Sequence, residues 1–454
     1  MLEKDSLKAL LEAVKELDQG FASLPVFASP SADSQKMARV LSLTAEKLQN
    51  NYPYFHPLYA GQMLKPPHPV ARLAYSLAQW INPNNHALDG GRASSAMEKE
   101  AVAEIARMFG WQESLGHLTG GGTMANLEGL WVAGQLAPGK TIVASEQAHY
   151  THHRISGVLK LPFAIIPGDA HGRMDMDALR RRLSEGDVGL VVATMGTTAT
   201  GSVDPLGDIL KLKQEYEFRV HADAAYGGYF TLAGNLESEA RAAFDHLSQV
   251  DSIVIDPHKH GLQPYGCGCV LFHDPEVGRF YKHDSPYTYF SSKELHLGEI
   301  SLECSRPGAS AVALWATQRL LPLVRGGEFA RGLEHGREAA LDFYHRLRAD
   351  SRFITAFAPP LDIVIFIPRG ASFAESSALS RRIFDAAAAR NLHLAIAELP
   401  LAFFAENLGA MKRDSAKPTL TCLRSVLMKQ EHKEWMPQIW SILDEATNVV
   451  LHAS

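Results

Sequence analysis

An α/β fold, with a mostly parallel sheet followed by a smaller α+β unit, is what this 454-residue sequence predicts. Three observations predict it. Between about 90 and 320, short apolar runs alternate with helical periodicity, the order required by parallel strands joined through crossover helices. Several runs are nearly continuous in apolar residues, Leu190-Val191-Val192-Ala193 being the clearest, as suits strands covered on both faces. Some of them end in a polar cluster, where open α/β sheets present reactive groups to a ligand crevice.

Three units follow, 1–90, 91–320 and 321–454. The first opens with an amphipathic helix that mixes acids and bases through its apolar positions, unlike a signal peptide. Its loop-rich end, Tyr52 to Met63, is dense in aromatics, proline and glycine. In the second unit a helix is predicted from near Ser95, where Ser95 and Glu98 have capping-box spacing and Met97, Ala101, Val102 and Ile105 mark one face. Strands are predicted at Thr141–Ala144, Phe163–Ile166, Gly189–Thr194, Arg219–Ala222, Ser252–Ile255 and Cys269–Phe272. The third unit reads as a long helix, Phe329–Arg348, then strands at Leu361–Phe366 and Leu392–Ile396 with a helix between them. A last strand, Thr419–Met428, precedes a terminal helix.

Composition narrows the function classes. A hydrophobic content of 46% supports large cores, and a net charge of -6 gives no electrostatic reason to expect nucleic acid. There is no long basic block for an anionic membrane, and no run approaches the roughly 18 apolar residues of a span. A cytoplasmic location is the expectation. Cys267, Cys269, Cys304 and Cys422 are too few for a disulfide framework and lack paired zinc spacing, so reduced, mostly buried thiols are expected. His149, His152 and His153 lack a carboxylate or cysteine partner at helical spacing, and no metal is expected.

The chemistry lies at two strand ends. Lys259 stands in Ile255-Asp256-Pro257-His258-Lys259, 36 residues after Asp223 in His221-Ala222-Asp223-Ala224-Ala225. A lysine amine in a crevice can bond covalently to the aldehyde of pyridoxal phosphate, and a carboxylate can keep the pyridine nitrogen protonated so that the ring withdraws electrons. Upstream, Gly120-Gly121-Gly122-Thr123 opens a helical pattern, where backbone N–H groups and the helix dipole attract an anion such as the cofactor phosphate.

These residues resemble the group II pyridoxal-phosphate-dependent amino acid decarboxylases. The likeness runs in order through Gly121-Gly122-Thr123-Met124-Ala125-Asn126, Ser145-Glu146-Gln147-Ala148-His149, Ala193-Thr194-Met195-Gly196-Thr197-Thr198, the Asp223 run and Asp256-Pro257-His258-Lys259. It implies the aspartate aminotransferase fold type I, with a seven-stranded large-domain sheet. It also implies a homodimer with active sites at the subunit interface and an N-terminal segment packed on the partner subunit.

By resemblance the cofactor set is Gly122, Thr123, His149, Thr197, Asp223, Ala225, His258 and Lys259, with His149 stacked on the pyridine ring. The same likeness makes Tyr59, Gln62 and Arg424 substrate contacts and Ser305 a phosphate contact. Tyr287, with Tyr289 in reserve, matches the loop tyrosine that returns a proton after carbon dioxide leaves. Two positions depart from the pattern. An aspartate at 256 would be repelled by a phosphate unless it points away or uses its backbone amide, and His260 replaces a larger apolar residue.

The motifs look most like the tyrosine and aspartate decarboxylase branch. An aromatic L-amino acid such as tyrosine is favoured as substrate, with an acidic one such as aspartate or glutamate possible. A lyase or aldehyde synthase on the same scaffold and a catalytically silent binding homologue are the alternatives.

Overall fold

The computed structural model describes residues 4–27, 33–86, 90–282, 301–409, 411–414 and 417–452. The chain opens with α1 (Lys4–Gly20), α2 (Ser34–Leu48) and α3 (Pro69–Ala78). The large unit runs α4 (Arg92–Met108), β1 (Leu115–Thr119), α5 (Gly122–Leu136), β2 (Thr141–Ser145), α6 (Thr151–Leu159), β3 (Phe163–Ile166), α7 (Met176–Leu183), β4 (Val188–Thr194), α8 (Leu206–Glu215), β5 (Arg219–Asp223), α9 (Ser238–Asp245), β6 (Ser252–Ile255) and β7 (Gly268–Phe272). After α10 (Gly308–Leu320), the small unit consists of α11 (Glu328–Ala349), β8 (Phe353–Thr355), β9 (Ile363–Pro368), α12 (Phe373–Ala388), β10 (Ala395–Pro400), β11 (Thr419–Val426) and α13 (His432–His452).

Seven strands form the large sheet in the order β1-β7-β6-β5-β4-β2-β3. β2 to β6 run parallel, whereas β7 is antiparallel to both β6 and β1. Every residue of β2, β4, β6 and β7 is buried, which is why their sequences read as unbroken apolar runs. Parallel register puts Asp223 at the end of β5 beside Thr194 of β4 and Val254 of β6. Three neighbouring strand ends therefore open on one side of the sheet.

The small sheet, β10-β11-β9-β8, is antiparallel throughout. The aromatic loop is stitched onto it, with Ala60 donating to the His393 carbonyl (2.9 Å) and accepting from the Val426 amide (2.7 Å). α1 and α2 differ from the rest, since neither has a buried residue. Leu11, Val40, Leu41, Leu43 and Leu48 on them are each about 60% exposed.

Two strands escaped the sequence reading, β1 and β8, and one helix start was misplaced. α4 begins at Arg92, so Ser95 and Glu98 lie inside it and make no capping box. Glu98 is instead a buried partner of Arg306 (2.8 Å) and of the Leu118 amide (2.9 Å). The strand expected from Leu361 starts at Ile363, because Asp362 turns to the large unit and accepts from His260 Nε2 (2.8 Å) and the Tyr226 hydroxyl (2.5 Å). His260 is thus a buried tie between the units.

Candidate active site

A cavity of about 520 Å³ lies where the ends of β4, β5 and β6 face the start of α5. Gly122, Thr123, His149, Asp223, Ala225, His258 and Lys259 all line it, so one space gathers residues that span 138 positions of the chain. A larger cavity of about 740 Å³, between α7, α8 and α9, holds none of the motif residues. We place the site in the smaller one, because chemistry and not volume identifies it.

Asp223 is the last residue of β5 and is 5% exposed. Its Oδ2 stands 2.8 Å from His152 Nε2, and its Oδ1 accepts from the Ala225 amide at 3.2 Å. Burial by itself would raise this carboxyl, yet the His152 hydrogen bond and the charges of His152 and Lys259 hold it well below the usual carboxylate range. A carboxylate that stays ionised is what a protonated ring nitrogen requires. His152 had no role assigned from the motifs. A signal was present, since Thr151, His152, Ile155 and Ser156 form the buried face of α6 and a buried imidazole demands a partner.

Lys259 follows β6 in a tight turn, with Nζ 3.0 Å from Asp256 Oδ2. Opposite it, Gly121 adopts φ +141°, a backbone conformation that L side chains rarely adopt, and α5 begins at Gly122 without a side-chain cap. A Cβ on Gly122 would stand 2.6 Å from Asp256 Oδ2, and one on Gly120 would stand 2.9 Å from Glu303 Oε1. Only glycines leave this cradle open. The Gly120 amide already donates to an anion, Glu303 Oε2, at 2.8 Å. Three buried atoms of cavity-lining residues, Thr194 Oγ1, Asp256 Oδ1 and His258 Nδ1, have no hydrogen-bond partner among the described residues. A polar guest that brings both donors and acceptors fits these groups.

His149 lines the cavity, its Nδ1 2.8 Å from Thr151 Oγ1, and burial lowers its pKa so that the ring is neutral. The histidine cluster is dispersed, with His153 lying against the Phe163 ring at 5.5 Å. Other expected contacts lie elsewhere. Thr197 is fully buried with its hydroxyl on Thr200 Oγ1 (2.8 Å), and its neighbours Gly196 and Thr198 line the cavity in its place.

Arg424, 4% exposed, is likewise absent from the lining. It donates to the carbonyls of Thr198 (2.6 Å), Ala199 (2.9 Å) and Gly61 (3.2 Å) and to Gln62 Oε1 (3.2 Å). In this arrangement it clamps the wall. Tyr59 is 5% exposed and packs edge-on against Tyr54, its carbonyl accepting from Lys429 Nζ at 2.6 Å. Ser305 Oγ accepts from Asn84 Nδ2 at 3.1 Å and does not line the cavity. Tyr287 and Tyr289 lie outside the described residues.

Residues 131–368 match the pyridoxal-dependent decarboxylase conserved domain. The chain belongs to that family. Its likeness to an L-tyrosine decarboxylase of Enterococcus faecium is 28% identity over 64% of this chain and 64% of the relative, so it spans just under two thirds of that protein. A probable L-tyrosine/L-aspartate decarboxylase of Methanothrix thermoacetophila is 30% identical over 61% of this chain and 69% of the relative. Among solved structures, mouse CSAD superposes with a TM-score of 0.77 at 18% identity, covering 97% of this chain and 99% of that one. That likeness shows the fold, a mostly parallel seven-stranded sheet with a small α+β unit, as expected from the motifs.

The family's cofactor is pyridoxal phosphate, which when bound supplies an electron-withdrawing ring. Lys259 would hold its aldehyde, Asp223 its ring nitrogen, His149 its ring face and the Gly121–Thr123 turn its phosphate.

Proposed function

We propose that this chain is a pyridoxal-phosphate-dependent decarboxylase that converts an L-amino acid, with tyrosine favoured, to its amine and carbon dioxide. One observation carries the reading. Asp223, kept ionised by His152, and Lys259 open onto the same cavity as the glycine turn that starts α5. Asp223 would hold a proton on the ring nitrogen, His149 would keep water from one ring face, and Lys259 would give up the cofactor aldehyde to the substrate amine, its own amine being released.

An aromatic side chain is favoured over an acidic one by the lining itself. Among the described lining residues Lys259 is the only lysine and there is no arginine, so an acidic side chain would lack a second fixed cation. The name of the Enterococcus relative, a tyrosine decarboxylase, points the same way, while that of the Methanothrix relative carries both tyrosine and aspartate. Tyr287 is kept as the proposed proton donor and Arg424 as a residue that shapes the substrate wall. We extend the proposal to a homodimer, since α1 and α2 present apolar side chains that the described residues leave exposed.

The test is incubation with a panel of L-amino acids while carbon dioxide, amine and peroxide are followed together. Amine and carbon dioxide in equal amounts, with tyrosine turned over faster than aspartate or glutamate, is the expected result. Peroxide and aldehyde would identify an aldehyde synthase, and no product with any amino acid would identify a silent homologue.

A further inference from the structure

We propose that Asp256 takes up a proton when the cofactor phosphate binds and donates it as a hydrogen bond to a phosphate oxygen. The inference rests on the pyridoxal phosphate reading of the cavity. It adds that cofactor binding is coupled to one proton per site.

An aspartate beside an anion site can escape repulsion by turning away, by offering its backbone amide, or by losing its charge to a cation or a proton. The first way is closed. Asp256 is 2% exposed, and its Oδ2 lies so close to the first residue of α5 that a Cβ on Gly122 would stand 2.6 Å from it. That helix start is where backbone N–H groups attract an anion. The second way is closed as well, because the Asp256 amide donates to the Ala225 carbonyl at 3.2 Å.

Two cations remain on the same turn. Lys259 Nζ is 3.0 Å from Oδ2, but Nζ is the atom that the cofactor aldehyde would take. His258 Nε2 is 3.6 Å away, and burial lowers the pKa of that imidazole, so it supplies little positive charge. The groups that face Asp256 from other elements add none. Cys267, Cys269, Tyr229 and Tyr265 are held neutral by burial, and burial lowers the pKa of His149 too. Asp223 and Glu303, which share the cavity, are acids. Asp256 Oδ1 has no partner among the described residues, so one oxygen is free to carry a proton. A phosphate brings roughly -1.5 to -2 charges at pH 7. The balance is simple: solvent supplies one proton, a carboxylate becomes a carboxylic acid, and its O–H points to the phosphate.

The bound state then holds one proton more than the free state, so affinity falls as pH rises, by up to about tenfold per unit. Binding of pyridoxal phosphate to the Lys259→Ala protein isolates this step from covalent bond formation. Between about pH 7 and 9 the phosphate's own second ionisation, near 6, is complete. The dissociation constant is expected to climb through this range. In Lys259→Ala/Asp256→Asn it is expected to climb less steeply, by the one proton that Asp256 no longer takes up, and to be the tighter at the upper end, while Lys259→Ala/Glu303→Gln keeps the steeper slope. Pyridoxal, which lacks the phosphate, should show the same slope with aspartate and with asparagine at 256.

A second measurement needs no substitution. An infrared difference spectrum of the wild-type protein with and without pyridoxal phosphate, using carbon-13 aspartate, should gain a protonated-carboxyl band. Equal slopes for pyridoxal phosphate with aspartate and asparagine at 256, a steeper slope lost with Glu303→Gln, or no such band would overturn the proposal. No binding of pyridoxal phosphate at any pH would instead sink the cofactor reading itself.

Discussion

Two carboxylates stand at the ends of adjacent strands, and the protein treats them in opposite ways. Asp223, closing β5, has both oxygens engaged, one by His152 and the other by the Ala225 amide. Asp256, just past β6, shares one oxygen with a lysine, and its other oxygen has no hydrogen-bond partner among the described residues. The first is built to keep a fixed charge, as an electron-withdrawing ring needs. The second is unfinished without a guest. A buried carboxylate with complete hydrogen bonding marks a constant of the site, and one without it marks where the site changes on binding.

The largest effect is expected from the constant charge. Asp223→Asn should lower turnover by about 10²–10³-fold, the usual cost of deleting one well-placed electrostatic group. Lys259 is untouched, so the visible absorbance of covalently bound cofactor should persist. Turnover within a few-fold of wild type would show that the β5 end does not supply the charge.

How much of this contrast was legible beforehand depended on where each residue finds its partner. Lys259, Asp223 and the glycine turn line one cavity, and each was visible beforehand because it ends or begins an element whose pattern is local. β2, β4, β6 and β7 showed in the sequence because strands buried throughout are largely apolar, and β3 and β5 showed as short runs between helical patterns. β1 did not, because Leu115-Gly116-His117-Leu118-Thr119 interrupts its apolar run with Gly116 and His117. Both make sense only in three dimensions: a Cβ on Gly116 would stand 2.5 Å from Leu271 Cδ2, and His117 Nε2 meets buried Glu128 Oε2 at 2.8 Å. Arg424 has the same difficulty. Its guanidinium is held by Thr198, Ala199 and Gly61, more than 200 residues away, so burial among carbonyls was invisible in its own strand.

The next effect probes how the β5 end tolerates acid. His221, within β5, is fully buried between Ser252 Oγ (2.7 Å) and Asn126 Oδ1 (2.9 Å), and burial pushes its pKa down to about 4. A base whose folded pKa lies below its unfolded value of about 6.5 adds stability above that value, and this is lost as pH falls through about 4. Between pH 7 and about 4.5 the loss from this residue is expected to be up to about 3 kcal/mol. Urea unfolding of wild type and His221→Gln at both pH values measures it. An equal drop in both proteins would remove His221 from the account.

The smallest effect is the sharpest test of the comparison, because it alters the charge on Asp223 without touching Asp223. His152 acts through that carboxylate and lies outside the cavity lining, so it is a positioning residue. A hydrogen bond to a charged group contributes about 1.5–3 kcal/mol, so His152→Phe should lower kcat by roughly 10–100-fold with KM little changed. Loss of a mere packing contact would have the same sign, and pH separates the two. Without His152 the Asp223 carboxyl titrates higher, so the acidic limb of the kcat profile should move upward in pH, and the bound cofactor's absorbance should show its ring nitrogen losing its proton more readily. His152→Gln, which can still donate to Asp223 Oδ2, should recover most of the rate and return the limb toward its wild-type position. A Phe variant that is slow but has an unmoved acidic limb would mean that His152 only fills space behind β5, and that Asp223 holds its charge by other means.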